Sequence, residues 1–290
     1  MGSKSWRNMA SFRRSNRDSL PSQWPEPAFP GRQRFRRLLQ LLSLPMLAFI
    51  FLPLLALFLR TSPVQTLANL DQEQVRQAIS LSLVTTLTAT LITMILGTPL
   101  AYAQAHKSFR FSGLVDTLID MPLVLPPAVA GVALLITFGR RGLIGGWIAH
   151  LGIEIPFTTA AVVLAQIFVA APFFIKAATL GFASIDREQQ QAAGMDGANG
   201  WQIFRYVVVP LSMSSLVSGA VMTWARALGE FGATIIFAGN LPGRTQTMPL
   251  AIYVGFELDL NVALTLSVIL VGLSFLALIL VRGVFHRQWA

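Results

Sequence analysis

Apolar residues in this chain fall in long unbroken runs, with polar and charged residues gathered between them. The runs cover residues 38–59, 79–103, 114–138, 157–178, 211–239 and 262–281. Each meets the requirement of about 20 mostly apolar residues for crossing the hydrocarbon of a bilayer. In that solvent a helix satisfies its own backbone amides, so the pattern predicts an all-α, polytopic membrane protein with about six transmembrane helices. A further apolar stretch, 142–155, is glycine-rich and only about 14 residues long, which suits an interfacial or re-entrant piece better than a seventh span. The first run contains Pro45 and Pro53 and is expected to kink. It is too long for a signal-peptide core and follows an overlong basic lead, so it reads as an uncleaved anchor.

Composition agrees. Hydrophobic residues make up 54% of the 290 residues and charged residues only 12%, against roughly a quarter in soluble domains. The net charge of +9 is concentrated at one end. Residues 1–37 hold Lys4, Arg7, Arg13, Arg14, Arg17, Arg32, Arg34, Arg36 and Arg37 against Asp18 and Glu26. This segment is rich in Ser, Arg, Asn and Pro and reads as a disordered basic arm at a lipid surface. No nucleic-acid motif accompanies it, so nucleic acid is not an expected partner. The expected organisation is therefore the arm (1–37), a transmembrane domain (38–282) with a long loop at 179–209, and a short tail (283–290).

Six spans place both termini on one side, and the distribution of Lys and Arg makes that side the cytoplasm. The arm, Lys107, Arg110, Arg187, Arg205, Arg282 and Arg287 then lie inside, with Arg60, Arg76, Arg140, Arg141 and Arg244 outside. Lys176 and Arg226 fall within or at the edge of spans. The expected location is the cell membrane, multi-pass.

Several chemistries are excluded. The chain has no cysteine, and His106, His150 and His286 fall in separate loops or the tail, so no metal site is expected. No phosphate-binding G-x-x-x-x-G-K-[ST] loop occurs, so the chain is not expected to hydrolyse ATP or to be an enzyme. Paired intramembrane carboxylates of the kind used by proton-coupled transporters are not expected either, which disfavours a self-sufficient channel or secondary transporter.

The loop at 179–209 is patterned. From Gly181 it reads GFASIDREQQQAAGMDGANGWQIFRYVVVP. Asp186 and Gln189 have the spacing of a capping box that would open a short helix, with Glu188 near its positive end, and Gly197 and Gly200 would close it. The small Ala192 and Ala193 would let this helix approach another surface closely. On the fifth run, Arg226 and Glu230 are four residues apart and so share a helix face, where they could pair and act at a gate or pathway. Gly229, Gly232 and Ala233 would permit close helix packing. Between that run and the last, Asn240, Arg244, Thr245, Gln246 and Thr247 are polar and placed on the outer side.

The long loop resembles the EAA loop of binding-protein-dependent ABC importer permeases: Glu-Ala-Ala, three residues, Gly, nine residues, Ile-x-Leu-Pro. The matching positions are Gln191, Ala192, Ala193, Gly197, Val207, Val209 and Pro210. Gln191 stands where the family has glutamate, and Asp196 where leucine is usual before the glycine. From Ala225 the chain reads ARALGEFGATIIFAGNLPGRTQTMPLAIY, which resembles the molybdate permeases and, less closely, the sulfate and thiosulfate permeases. The resemblance covers residues 76–282 and excludes the arm. It implies a type I importer fold and a helix docked in a groove of a cytoplasmic ATPase. It also implies a homodimer, an ATP-binding subunit dimer that carries ATP and Mg, and an extracytoplasmic oxyanion-binding protein contacted by the 240–247 loop. The cargo it implies is molybdate, possibly with tungstate; a sulfate or thiosulfate permease is the alternative.

Overall fold

A computed structural model of the chain describes residues 32–107 and 110–286. The basic arm up to residue 31 and the last four residues lie outside them. Among the described residues every regular element is a helix. The chain divides into two compact units between Ala56 and Leu57. The described residues of the first belong to one helix, α1 (Arg32–Arg60), which runs on through Pro45 and Pro53. Its Leu42, Phe49, Phe51 and Leu52 are all more than half exposed, as suits side chains that face lipid.

The second unit holds the remaining helices. α2 (Pro63–Leu70) leads into α3 (Glu73–Ala105). The third apolar run is not one rod, as the sequence suggested, but α4 (Ser112–Val124) and α5 (Pro127–Phe138), bent by 116°. The reason is local: Pro126 and Pro127 cannot donate backbone hydrogen bonds, and a proline pushes the residue before it out of helical geometry. Leu125 is accordingly extended. The short helix α6 (Gly145–His150) occupies the stretch expected to be interfacial or re-entrant. α7 (Thr159–Ala183) follows, its first turn capped by Thr158, whose hydroxyl accepts from the Ala161 amide.

The fifth run also differs from expectation. The 179–209 loop before it holds α8 (Arg187–Met195), α9 (Gly200–Ile203) and a π-helical turn (Phe204–Val208), and after α10 (Val209–Leu211) the run itself is split into α11 (Met213–Leu228) and α12 (Gly232–Phe237). A 70° bend precedes α11, and a break at residues 229–231 separates α11 from α12. α13 (Met248–Leu258), which the run pattern left unassigned, forms a hairpin with α14 (Leu260–His286). Among the described residues four helices are long and apolar enough to cross a membrane, and up to six spans result when each bent pair counts as one.

α3, α7 and α11 form the heart of the unit. The contact face of α3 carries Ser82, Thr86, Thr90 and Thr93 rather than large apolar groups, all buried. Thr86 and Thr90 return their hydroxyls to carbonyls four residues back, which satisfies those donors, whereas the Thr93 hydroxyl is buried without a partner. Trp224 of α11 donates its indole N–H to Thr86 at 3.1 Å. Small residues set the closeness of the α7–α11 crossing: a Cβ on Gly219 would stand 2.8 Å from the Ala177 Cβ, and one on Gly181 would stand 2.5 Å from the Ser215 Cβ.

The two ends of the unit are distinguishable. At one end the start of α3 and the start of α7 meet the 240–247 loop: Gln74 donates to Gln246, and the Thr159 hydroxyl donates to the Arg244 carbonyl. At the other end lie the close of α3, the close of α7 and the α8–α9 hairpin. We refer to these as the Arg244 end and the Gln191 end.

Candidate functional site

The α8–α9 hairpin at the Gln191 end is built to protrude. None of the nine residues of α8 is buried; Gln191 and Ala192 are exposed and Ala193 is half-buried. Gly197 closes the helix as expected. Its φ of +89° is the left-handed conformation that glycine adopts freely, and the Gly197 and Ala198 amides return to the Gly194 and Ala193 carbonyls. The opening differs from expectation: Asp186 takes the N-cap position, but its side chain makes no capping bond. The capping box lies later. Asn199 Oδ1 accepts from the Gln202 amide at 2.9 Å, and Gln202 Oε1 accepts from the Asn199 amide at 2.8 Å. Gly200 therefore opens α9 rather than closing α8. The spacing Asn-x-x-Gln was present in the sequence as a signal for it.

Behind the exposed hairpin, aromatic side chains tie it to the long helices. Phe204 packs edge-on against Tyr102 of α3 at 5.0 Å, lies 6.2 Å from Phe182 of α7, and stacks at 5.6 Å with Trp201. Val208 is fully buried in the same cluster, whereas Val207 is half-buried and Pro210 exposed. Pro210 has no N–H to give the Tyr206 carbonyl, and the turn upstream widens to the π form, in which the Val209 amide reaches the Phe204 carbonyl. Met195, Trp201 and Tyr206 are 84%, 65% and 68% exposed, an apolar fringe around the hairpin.

Arg226 and Glu230 pair as expected, at 2.9 Å, with side-chain exposures of 31% and 1%. The second Glu230 oxygen accepts from the Ala233 amide at 2.9 Å. One carboxylate thus bridges the α11–α12 break, satisfying a cation on one helix and the positive start of the next. The α4–α5 break lies against this one: a Cβ on Gly232 would stand 2.6 Å from the Pro127 Cβ, and one on Gly131 would stand 2.8 Å from the Ala233 carbonyl. Gly232 and Ala233 therefore serve close packing, but Gly229 does not, having open space around it.

The 240–247 segment is not the solvated loop its polarity suggested. Thr245, Gln246 and Thr247 are buried at 0%, 3% and 1% exposure, with the Thr245 hydroxyl accepting from the Leu241 amide. Thr245 and Gln246 make internal bonds and the Thr247 hydroxyl is buried without a partner, and this burial takes all three off any docking surface. Asn240 is half-buried and Arg244 exposed. Arg244 shares a cavity of about 570 Å³ with Arg140, Glu154, Phe157 and Thr158. Arg140 reaches both Glu154 carboxylate oxygens, at 2.6 and 2.7 Å, and this bonding holds its guanidinium pKa above the usual arginine value.

Sequence reading missed one charged cluster and had excluded its kind. Asp116 and Asp120, one helical turn apart on α4, both face Lys176 of α7, at 3.5 and 2.6 Å. The expectation that no paired carboxylates occur within spans is corrected by these two, whose charges are opposed by a lysine.

The comparisons with known proteins match this architecture. Residues 94–288 match the family described as the binding-protein-dependent transport system inner membrane component, and the chain belongs to that family. It is 38% identical over 233 residues to the molybdenum transport system permease protein ModB of Mycobacterium tuberculosis, covering 80% of this chain and 88% of that one. It is 42% identical over 196 residues to the putative molybdenum transport system permease protein YvgM of Bacillus subtilis, covering 67% and 86%. Among solved structures, a bacterial alginate ABC transporter in complex with its pentasaccharide-bound periplasmic protein shares the fold. The TM-score is 0.67 at 16% identity, covering 88% of this chain and 94% of that one. This is a multi-pass membrane protein and a transport subunit.

Proposed function

We propose that this chain is the membrane-spanning subunit of an ATP-driven importer of molybdate. Two copies pair around the pathway, an extracytoplasmic binding protein delivers the oxyanion, and two cytoplasmic ATPase subunits supply the work. ATP and Mg belong to those partners. The molybdate assignment is supported by the similarity to two molybdenum permeases over most of the chain.

The observation that carries the coupling role is the α8–α9 hairpin. Its outer face, with Gln191, Ala192 and Gly197, is free to enter a groove, while Phe204 on its inner side is wedged between Tyr102 and Phe182. A displacement of the hairpin by a closing ATPase therefore reaches α3 and α7 through rigid packed rings, the recognition mode being a helix in a groove. Gln191 supplies hydrogen bonds there but no carboxylate, so docking relies on shape and neutral polar contact. This reading places the Gln191 end, with Lys107, Arg187 and Arg205, in the cytoplasm and both termini on that side, in accord with the positive-inside rule.

At the opposite face Arg244, with the half-buried Asn240 beside it, offers the contact for the binding protein. The Arg226–Glu230 bridge is the gate element, because it spans the helix break that abuts the α4–α5 bend. The test of coupling is ATPase activity of the reconstituted complex. Substituting Ala192 by a bulky residue such as Trp is expected to abolish the stimulation of hydrolysis by loaded binding protein while leaving membrane insertion intact. Unchanged stimulation would remove α8 from the coupling role.

A further inference from the structure

We infer that α4 is a hinged half-span whose position is set by a charge latch, Lys176 to Asp120 and Asp116, and that this latch opens and closes during transport. The inference rests on the reading of the chain as an ATP-coupled transporter and adds positioning residues to it.

Apolar packing holds α4 only weakly. Ile119 is its one buried residue, whereas Leu114, Leu118, Met121, Leu123 and Val124 are all exposed. Between α4 and the adjoining faces of α3 and α7 lies a cavity of about 580 Å³, bordered by Ser112, Gly113, Asp116, Lys176, Thr179 and Leu180. Polar links cross the gap instead. Lys176 Nζ donates to Asp120 Oδ2 at 2.6 Å and lies 3.5 Å from Asp116, and Gln104 Nε2 donates to the Ser112 carbonyl at 2.8 Å.

α5, by contrast, is fixed. Its Gly131 and Pro127 lie against Ala233 and Gly232 of α12 at distances that leave no room for a methyl group. The joint between the fixed and the loose half is the extended Leu125 and the donor-less Pro126, at a bend of 116°. A rigid half, a loose half and a proline joint are the parts of a hinge.

The latch is also unsaturated. One lysine serves two carboxylates, and the Asp120 Oδ1 and Gln104 Oε1 oxygens are buried without a partner. Ionisable groups in a span are retained at a cost, and a half-satisfied network is held less firmly than a complete one. A purely structural clamp between two helices is served by one pair. Two carboxylates a turn apart give the lysine successive partners as α4 swings, so the charge stays compensated through the motion.

The chain lacks cysteine, which makes a cross-linking test clean. Gly113→Cys on α4 and Leu180→Cys on α7 border the cavity from opposite sides and leave the three latch residues intact. The full complex in proteoliposomes is treated with a short, reducible, thiol-specific bifunctional reagent. The expected result is a loss of ATP-driven molybdate uptake of at least tenfold, restored by reduction. Uptake by the cross-linked complex at the rate of the reduced one would overturn the latch. A second measurement uses no cross-link: Lys176→Asp and Asp120→Lys are each expected to lower uptake at least tenfold, and their combination to recover a third or more. No recovery by the swap, together with unchanged uptake in either single variant, would also overturn it. Absence of uptake by the unmodified complex would instead refute the transporter reading, so the two failures are told apart.

Discussion

Glu230 receives Arg226 on one carboxylate oxygen and the Ala233 amide on the other, each at 2.9 Å. A single side chain thereby joins the end of α11 to the start of α12. The carboxylate is almost fully buried, so removing it strands both a cation and a helix-start donor. Breaking such a pair costs about 3–5 kcal/mol when both charges are buried, and the partly exposed arginine moves this site to the lower end, about 3 kcal/mol. Glu230→Ala is therefore expected to lower the unfolding temperature of the detergent-purified chain by several degrees and to abolish uptake. Glu230→Gln keeps an acceptor for Ala233 and is expected to lose less stability than the alanine variant. Thermal unfolding of the two variants side by side checks the ranking.

Gly197 contributes through backbone conformation alone, since a side chain there would meet nothing within 4 Å. At its φ of +89° a β-branched residue is strained by about 1–2 kcal/mol, while asparagine tolerates the left-handed region. Gly197→Val should unwind the last turn of α8 and uncouple hydrolysis from uptake, and Gly197→Asn should retain most of the wild-type rate. Equal loss in both variants would mean that the groove excludes any side chain, a steric role rather than a conformational one.

Phe204 is the mechanical link between hairpin and span. Truncation to alanine removes its contacts with Tyr102, Phe182 and Trp201 and costs about 3 kcal/mol of local packing, the low end for a buried ring because Phe204 is only half-buried. In the reconstituted complex Phe204→Ala is expected to keep basal ATP hydrolysis within about twofold while uptake falls tenfold or more. Parallel falls in both activities would indicate lost assembly rather than lost transmission.

The α7–α11 crossing predicts a different phenotype. Gly219→Leu must displace Ala177 and Phe174, because even a Cβ would stand 2.8 Å from the Ala177 Cβ. Overpacking of this kind costs about 1–3 kcal/mol or more. The variant is expected to be recovered poorly from membranes, whereas Gly272→Leu, where nothing lies within 4 Å, should be recovered normally. Yield after detergent extraction separates them.

The six apolar runs were legible because hydrocarbon imposes one rule on every residue of a span. The Gly197 helix end was legible because left-handed geometry selects glycine. What escaped the sequence depends on residues distant along the chain. The Lys176–Asp120 pair joins positions 56 apart, and nothing in either segment names the other. The polarity of Thr245 to Thr247 points to an exposed contact loop, yet their neighbourhood includes Gln74 and Ser82 of α3. Long apolar runs likewise hid two breaks, although the Pro126–Pro127 pair and Gly229 marked their places. Asn199 and Gln202 were visible as a capping box and were overshadowed by the competing Asp186–Gln189 spacing.

In the proposed function, energy reaches this chain from a partner and molybdate is the cargo. Uptake into proteoliposomes holding this chain with its ATPase and binding protein, comparing molybdate, tungstate and sulfate, tests both at once. Molybdate accumulation that requires ATP and every component is the predicted result, with sulfate taken up far more slowly. Uptake by this chain alone without ATP, or a preference for sulfate in the complete system, would contradict it.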